Sequence, residues 1–217
     1  MNVNEFYKRI LTSITILPLS IFFIMYNKIS FLLFLIFIAI ISIFEWYKIY
    51  HKKDFLFIIG IFFLILSFLS AILLRGNNLQ TISFFLWVIL ICVFSDIGGY
   101  IFGNVFGGKK LTKISPSKTI TGSAGSFLLS FIPLFLLEKL NIFYLSSIEI
   151  NIKYLTLNLF FCFICQLGDI CVSYFKRKNN IKNISNILPG HGGILDRIDG
   201  ILFVIPVAYL IKYFEII

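Results

Sequence analysis

The stretch ISFLLFLIFIAIISIFEWY, residues 29–47, is long and apolar enough to cross a lipid bilayer as one helix. Comparable apolar runs recur along the chain, at residues 10–26, 55–74, 81–102, 121–137, 155–175 and 198–217. Because lipid offers no hydrogen-bond partners to the backbone, and the runs lack the alternation of a barrel strand, each run is predicted to be helical. The sequence therefore predicts an all-α, polytopic integral membrane bundle of about seven transmembrane helices.

The composition supports the same fold class. Of the 217 residues, 59% are hydrophobic and only 13% are charged, against roughly 45–50% apolar residues in soluble domains. A soluble fold could not bury so much apolar surface, which excludes a soluble domain. The four cysteines all lie within apolar runs, where cysteine behaves as a small hydrophobic residue, so no disulfide framework is predicted.

The basic residues give the predicted orientation. Most of the 19 lysines and arginines fall on one side of the membrane if the N-terminus is cytoplasmic, and cytoplasmic loops are enriched in such residues. The first apolar run lacks a signal-peptide cleavage site and is followed by further runs, so it is interpreted as a retained helix. We therefore expect N-terminal transmembrane helices over 1–94 and a C-terminal catalytic region over 95–217, with two cytoplasmic basic loops at 103–123 and 176–197.

Four aspartates lie within or beside the apolar runs of the C-terminal half: Asp96, Asp169, Asp196 and Asp199. A charged side chain at mid-membrane costs roughly 2.5–3.5 kcal/mol, so acids in such runs indicate a functional site. Residues three apart share one face of a helix, which allows Asp196 and Asp199 to point into one cavity. For any single aspartate, the alternative is an acid at a helix end that reaches water.

The two basic loops supply groups that bind phosphate. The first, GNVFGGKKLTKISPSKTITGS, contains glycines, hydroxyls and four lysines but no acid, a composition suited to cradling an anion. Its alternative is a solvated loop that touches anionic lipid headgroups. The second loop places five cations beside aspartates, which favours Mg²⁺ held by carboxylates with phosphates around it. His191 in this loop either hydrogen-bonds a phosphate or caps a turn.

Motifs of the C-terminal half together resemble the signature of the phosphatidate cytidylyltransferases, also called CDP-diacylglycerol synthases. The likeness lies in five segments: SDIGGY at 95–100, ISPSKT at 114–119, QLGD at 166–169, SYFKR at 173–177 and PGHGGILDRID at 189–199. These segments span about residues 95–200, roughly half of the chain, and the earlier apolar runs are compatible with the family. Two positions depart from it, because Asn183 and Thr121 stand where the family pattern has Asp and Glu.

The resemblance implies that the phosphate of phosphatidic acid attacks the α-phosphorus of CTP, giving CDP-diacylglycerol and pyrophosphate. Phosphatidic acid, CTP and membrane lipids are the expected partners, with a homodimer suggested by the family and no nucleic acid. The enzyme is expected in a bacterial-type inner membrane, with its active site facing the cytoplasm. Asp169 and Asp196 are expected to hold Mg²⁺, and a second cation such as K⁺ is left open.

The expected site residues fall into two groups. Those expected in catalysis are Lys118, Lys176, Arg177, Asp196, Arg197 and Asp199. Those expected in substrate binding are Asp96, Ser115, Pro116, Ser117, Thr119, Ser173, Lys182, His191, Gly192 and Gly193.

Three alternative functions stay open at this point. A CTP-dependent kinase of a lipid alcohol would attack the γ-phosphorus and release CDP instead of pyrophosphate. An ion- or proton-coupled transporter would use the aspartates as a relay, although they cluster at span ends of the C-terminal half and the two halves show no symmetry. A non-catalytic relative is the third alternative, motivated by Asn183 and Thr121.

Overall fold

The structure is a computed structural model, and it describes residues 15, 18–50, 55–112, 114–116, 118–139, 150–181, 184, 185, 187 and 192–214. Residues 18–26 are helical. The helices that follow are α1 (Lys28–Ile49), α2 (Phe55–Arg75), α3 (Leu79–Phe106), α4 (Ile120–Leu129), α5 (Ile132–Lys139), α6 (Ile152–Lys178) and α7 (Leu195–Tyr213). Within these described ranges there is no strand, and Lys110 and Thr119 form an isolated bridge. The all-α prediction is confirmed.

Five stretches of the described chain are long and apolar enough to cross a membrane, namely α1, α2, α3, the α4–α5 segment and α6. The predicted count of seven is not confirmed. Of the first predicted span, 10–26, residues 10–14, 16 and 17 lie outside the described residues, and residues 18–26 are helical. The last one coincides with α7, which carries Asp196, Arg197 and Asp199 at its start and Lys212 in its last turn. The cytoplasmic position of the N-terminus stays a prediction.

Three of the helices begin at a side chain that caps their first turn locally. Asn27 Oδ1 accepts a hydrogen bond from the Ser30 amide at 2.7 Å at the start of α1. Asn151 does the same at the start of α6, and Thr119 at the start of α4. Such caps satisfy amides that the helix itself leaves without a partner. The start of each of these three helices is therefore determined by the local sequence.

Helix α3 lies at the centre of the packing and contacts α2, α4, α5, α6 and α7. On α3, the fully buried Trp87 packs its ring against Tyr154 and Phe161 of α6, with centroids 5.4 and 5.8 Å apart. The outer surface of α1 is apolar, since Leu33 and Phe37 are at least 60% exposed. An apolar outer surface over a packed interior is the arrangement expected of helices in lipid.

Polar side chains also join the helices that surround the site. Ser123 of α4 donates a hydrogen bond to Gln166 Oε1 of α6 at 2.5 Å, and Ser126 Oγ donates to the Ser95 carbonyl of α3 at 2.7 Å. On the other side, Ser67 of α2 donates to the Leu202 carbonyl of α7 at 2.9 Å. Such bonds are common between membrane helices because the interior offers few other partners. They fix α3, α4 and α6 around a common space, and α2 against α7.

Candidate active site

A cavity of about 400 Å³ lies between α3, α4, α6 and α7, beneath the loop that joins α3 to α4. Each of these elements contributes polar side chains to it. Nine residues of the sequence-based prediction line the cavity: Asp96, Ser115, Lys118, Thr119, Asp169, Ser173, Asp196, Arg197 and Asp199. Residues up to 103 positions apart in sequence therefore meet at one site.

The other predicted site residues have different placements. Lys176 is not part of the lining but reaches it through Asp196. Pro116 and Arg177 are exposed and, like Gly192 and Gly193, do not line the cavity. Ser117, Lys182 and His191 lie outside the described residues, as does Asn183. The binding and catalytic roles assigned to all of these residues stay predictions.

Lys118 and Asp169 form an ion pair across the cavity. Lys118 Nζ lies 2.5 Å from Asp169 Oδ2, with side chains 31% and 10% exposed. Burial by itself lowers the pKa of Lys118, but the charge and hydrogen bond of Asp169, with the charges of Asp96 and Asp199, outweigh it. The pKa of Lys118 is therefore raised, and its ammonium group stays charged at neutral pH.

The backbone around Lys118 is held in a small hairpin. The Leu111 amide donates to the Lys118 carbonyl at 2.8 Å, and the Ile120 amide donates to the Lys109 carbonyl at 3.0 Å. Directly after Lys118, Thr119 caps α4. The ammonium group is thus presented from backbone that is fixed on both sides, where a flexible basic loop would not hold it.

Thr121, which departs from the family pattern, forms hydrogen bonds with the loop between α3 and α4. Its hydroxyl donates to the Gly107 carbonyl at the end of α3 and lies 3.0 Å from the Thr119 hydroxyl. Thr121 therefore connects the two ends of the loop that carries Lys118, and it does not line the cavity.

A second ion pair joins the end of α6 to the first turn of α7. Lys176 Nζ lies 2.6 Å from Asp196 Oδ1, and both side chains are only 11–12% exposed. A buried charge is costly unless a group of opposite charge is paired with it. Lys176 therefore neutralises Asp196 from outside the cavity lining, while Asp196 itself lines the cavity.

One carboxylate oxygen in the site has no hydrogen-bond partner among the described residues. Asp169 Oδ1 is buried and, among the residues that the structure describes, receives no hydrogen bond. Donor atoms of Asp96, Cys165 and Asp169 all lie within 4.8 Å of one another. Hard cations such as Mg²⁺ prefer oxygen, so the two aspartates fit such an ion and the thiol does not. Among the described residues, this group of possible ligands thus contains Asp96, which sequence reasoning had assigned to substrate binding, and not Asp196.

Sequence reasoning also missed Glu45 of α1. Its carboxylate is completely buried and accepts hydrogen bonds from the backbone amides of Ile194 and Leu195 and from the Ser185 hydroxyl. The available signal was a single acid within the apolar run 29–47. That signal marks a buried acid but does not identify the helix that it contacts.

A family model and individual relatives of known name indicate the same family. The sequence model of the cytidylyltransferase family matches residues 50–214. A phosphatidate cytidylyltransferase of Rickettsia bellii is 37% identical over 96% of this chain and 91% of its own length. The protein of that name from Rickettsia conorii is 32% identical over 97% and 93%. One from Staphylococcus aureus is 37% identical over 61% of this chain and 50% of its own length.

Proposed function

The chain belongs to the cytidylyltransferase family, and we propose that it transfers the cytidylyl group of CTP to phosphatidic acid, giving CDP-diacylglycerol and pyrophosphate. Two relatives that match nearly the whole chain are named for this activity. The observation that carries the proposal is the cavity in which Lys118, Asp169 and Asp196 meet, each within reach of an opposite charge.

The reaction requires two anions to approach each other. An oxygen of the phosphatidate phosphate forms a bond to the α-phosphorus of CTP, and the bond to the bridging oxygen breaks, so that pyrophosphate leaves. Lys118 and Arg197, which line the cavity, would offset the repulsion and stabilise the charge that develops on the phosphates. Their fixed positions would also hold the two reactants in line.

We further propose that the site uses Mg²⁺ held by Asp169 and Asp196, with Asp96 as an additional oxygen ligand. The unpartnered Oδ1 atom of Asp169 and the nearby oxygens of Asp96 support these two residues as ligands. The assignment of Asp196 stays a prediction from the sequence. When bound, the ion supplies positive charge to the phosphate oxygens. Lys118 and Lys176, each paired with one of the aspartates, would hold those carboxylates in their orientation. A second cation such as K⁺ and a homodimer stay predictions.

The active site is proposed to face the cytoplasm of a bacterial-type inner membrane. The basic loops at 103–123 and 176–197 support this orientation through the enrichment of cationic residues on the cytoplasmic side. CTP would then enter from the cytoplasm, and phosphatidic acid from the membrane.

The test uses purified protein in detergent with phosphatidic acid and CTP labelled at either the α- or the γ-phosphorus. We expect the α-label in CDP-diacylglycerol, the γ-label in pyrophosphate, and loss of both products when a chelator removes divalent cations. Transfer of the γ-label to lipid, with release of CDP, would instead identify a lipid kinase. Ion flux in liposomes without CTP, together with no liponucleotide, would identify a transporter. Binding of CTP without either product would identify a non-catalytic relative.

A further inference from the structure

Helix α7 begins without a local cap. The residue at its N-cap position is Ile194, whose apolar side chain accepts no hydrogen bond from the first turn. The first amides of any helix have no partner within the helix, and they need an acceptor from elsewhere when they are buried. This start matters for the site because Asp196, Arg197 and Asp199 all lie in the first two turns of α7.

Glu45 supplies the missing acceptor from α1, about 150 positions earlier in the chain. Its Oε2 accepts from the Leu195 amide at 2.7 Å, and its Oε1 accepts from the Ile194 amide at 3.1 Å. A negative charge is also favourable at the positive N-terminal end of a helix dipole. With 0% exposure, this carboxylate is shielded from water, and its hydrogen-bond donors among the described residues are Ile194, Leu195 and Ser185.

Gly193 and Ser185 both lie directly against the Glu45 carboxylate. A Cβ atom at Gly193 would lie 2.8 Å from both carboxylate oxygens, so only glycine allows this approach. Ser185 Oγ donates to Oε1 at 2.5 Å, which ties the preceding segment of the second basic loop to the same carboxylate. Glu45 therefore holds the loop at Ser185 and again at the start of α7.

We propose that Glu45 is a positioning residue that fixes the first turn of α7 and so sets where Asp196, Arg197 and Asp199 stand in the cavity. This inference rests on the proposed function and deepens it. Glu45 lies outside the segment that matches the family, residues 50–214. The proposal gives α1 a part in the reaction although none of the described residues of α1 and α2 lines the cavity. It also implies that these two amides of α7 serve Glu45 and do not bind a substrate phosphate.

The test compares Glu45→Gln with Ser42→Ala in the full-length protein. Ser42 is equally buried in α1, but among the described residues its hydroxyl bonds only to the Ile38 carbonyl within the same helix. Glu45→Gln removes the negative charge and replaces one carboxylate oxygen with a side-chain NH₂ group, which cannot accept a hydrogen bond. One of the two backbone amides of α7 therefore loses its acceptor. We expect kcat to fall by at least about tenfold, with KM for CTP changed less than about twofold, because small misplacements near reacting groups are costly. Ser42→Ala should keep both constants within about twofold of wild type.

Amide hydrogen exchange provides the second readout. We expect faster exchange at residues 194–196 in Glu45→Gln and unchanged exchange over 160–172 of α6. Glu45→Asp, which keeps the charge on a shorter side chain, should recover part of kcat, and it replaces Glu45→Gln if that variant does not fold.

Two results would overturn the inference. One is wild-type kcat in a folded Glu45→Gln protein. The other is faster exchange throughout the molecule with kcat and KM both altered, since that indicates a general structural role. If the wild type makes no CDP-diacylglycerol, the proposed function fails on its own. Exchange at 194–196 then still decides whether Glu45 holds α7, and unchanged exchange would refute it.

Discussion

Replacing Gly200 with alanine should separate the two helices that carry the acidic residues of the site. Gly200 lies in α7 against α6, directly beside Asp169. A Cβ atom there would lie 2.5 Å from Cys165 Sγ, 2.8 Å from Asp169 Oδ1 and 3.1 Å from the Cys165 carbonyl oxygen. Non-bonded heavy atoms normally stay about 3.5–4.0 Å apart, so the methyl group overlaps the sulfur by about 1 Å.

The size of the effect follows from which atoms can move. Cys165 is buried, so its sulfur has little room to rotate away, and α7 must shift outward or the Asp169 carboxylate must turn. A displacement of about 1 Å at a reacting group can lower the rate about 100-fold. Overpacking of this kind also costs about 1–3 kcal/mol of stability. We therefore expect Gly200→Ala to lower kcat by about two orders of magnitude while the protein still folds.

The assay is formation of CDP-diacylglycerol in detergent at saturating substrates, combined with thermal unfolding. Adding Cys165→Ala removes the atom nearest to the new methyl group and should restore kcat by at least about tenfold. Gly168→Ala is a matched control in the same interface, because the three atoms nearest to its Cβ would all belong to the side chain of Phe203, at 2.9–3.0 Å. Gly168→Ala should lower the stability of the protein but should reduce kcat less than Gly200→Ala does. Turnover of Gly200→Ala within about twofold of wild type would refute the reasoning.

Three further substitutions test the rest of the site. Asp196→Asn should lower product formation at least about 100-fold by removing a charge from the cavity, and unchanged turnover would exclude Asp196 as a metal ligand. Lys176→Met leaves the Asp196 carboxylate buried without its cation and should lower the free energy of unfolding by about 3–5 kcal/mol. Combining it with Asp196→Asn should recover part of that loss in thermal unfolding, and a strictly additive loss would show that the pair does not interact. Thr121→Val removes the hydroxyl bonded to the Gly107 carbonyl and should cost about 1–3 kcal/mol in the same measurement, whereas unchanged stability would mean that this bond contributes nothing.

Much of the helical organisation could be predicted from local sequence. The apolar run at 55–74 became α2 at Phe55–Arg75, and the run at 155–175 became the longer α6 at Ile152–Lys178. The run at 121–137 was predicted as one span, whereas the structure has α4 and α5 with a turn at residues 130–131. Hydropathy does not detect such a break because the turn residues do not interrupt the apolar composition.

The candidate site was predictable as a set of residues but not as a set of contacts. The aspartates and lysines stood out because charge within apolar sequence is costly. Their partners did not, since the pairing of Lys118 with Asp169 joins residues 51 positions apart. The proximity of Asp96 to Asp169 likewise depends on how α3 packs against α6.

The amino-acid sequence by itself determined that this chain forms apolar helices, which residues carry charge among them, and to which family it belongs. Each of these properties is local or additive along the chain, because a residue's hydropathy does not depend on its neighbours in space. Only the tertiary structure decided that Glu45 caps α7 and that two lysines each neutralise one aspartate at the cavity. Apolar helices present similar surfaces to one another, so the choice of neighbour is made by close packing and by a few buried polar contacts between distant residues.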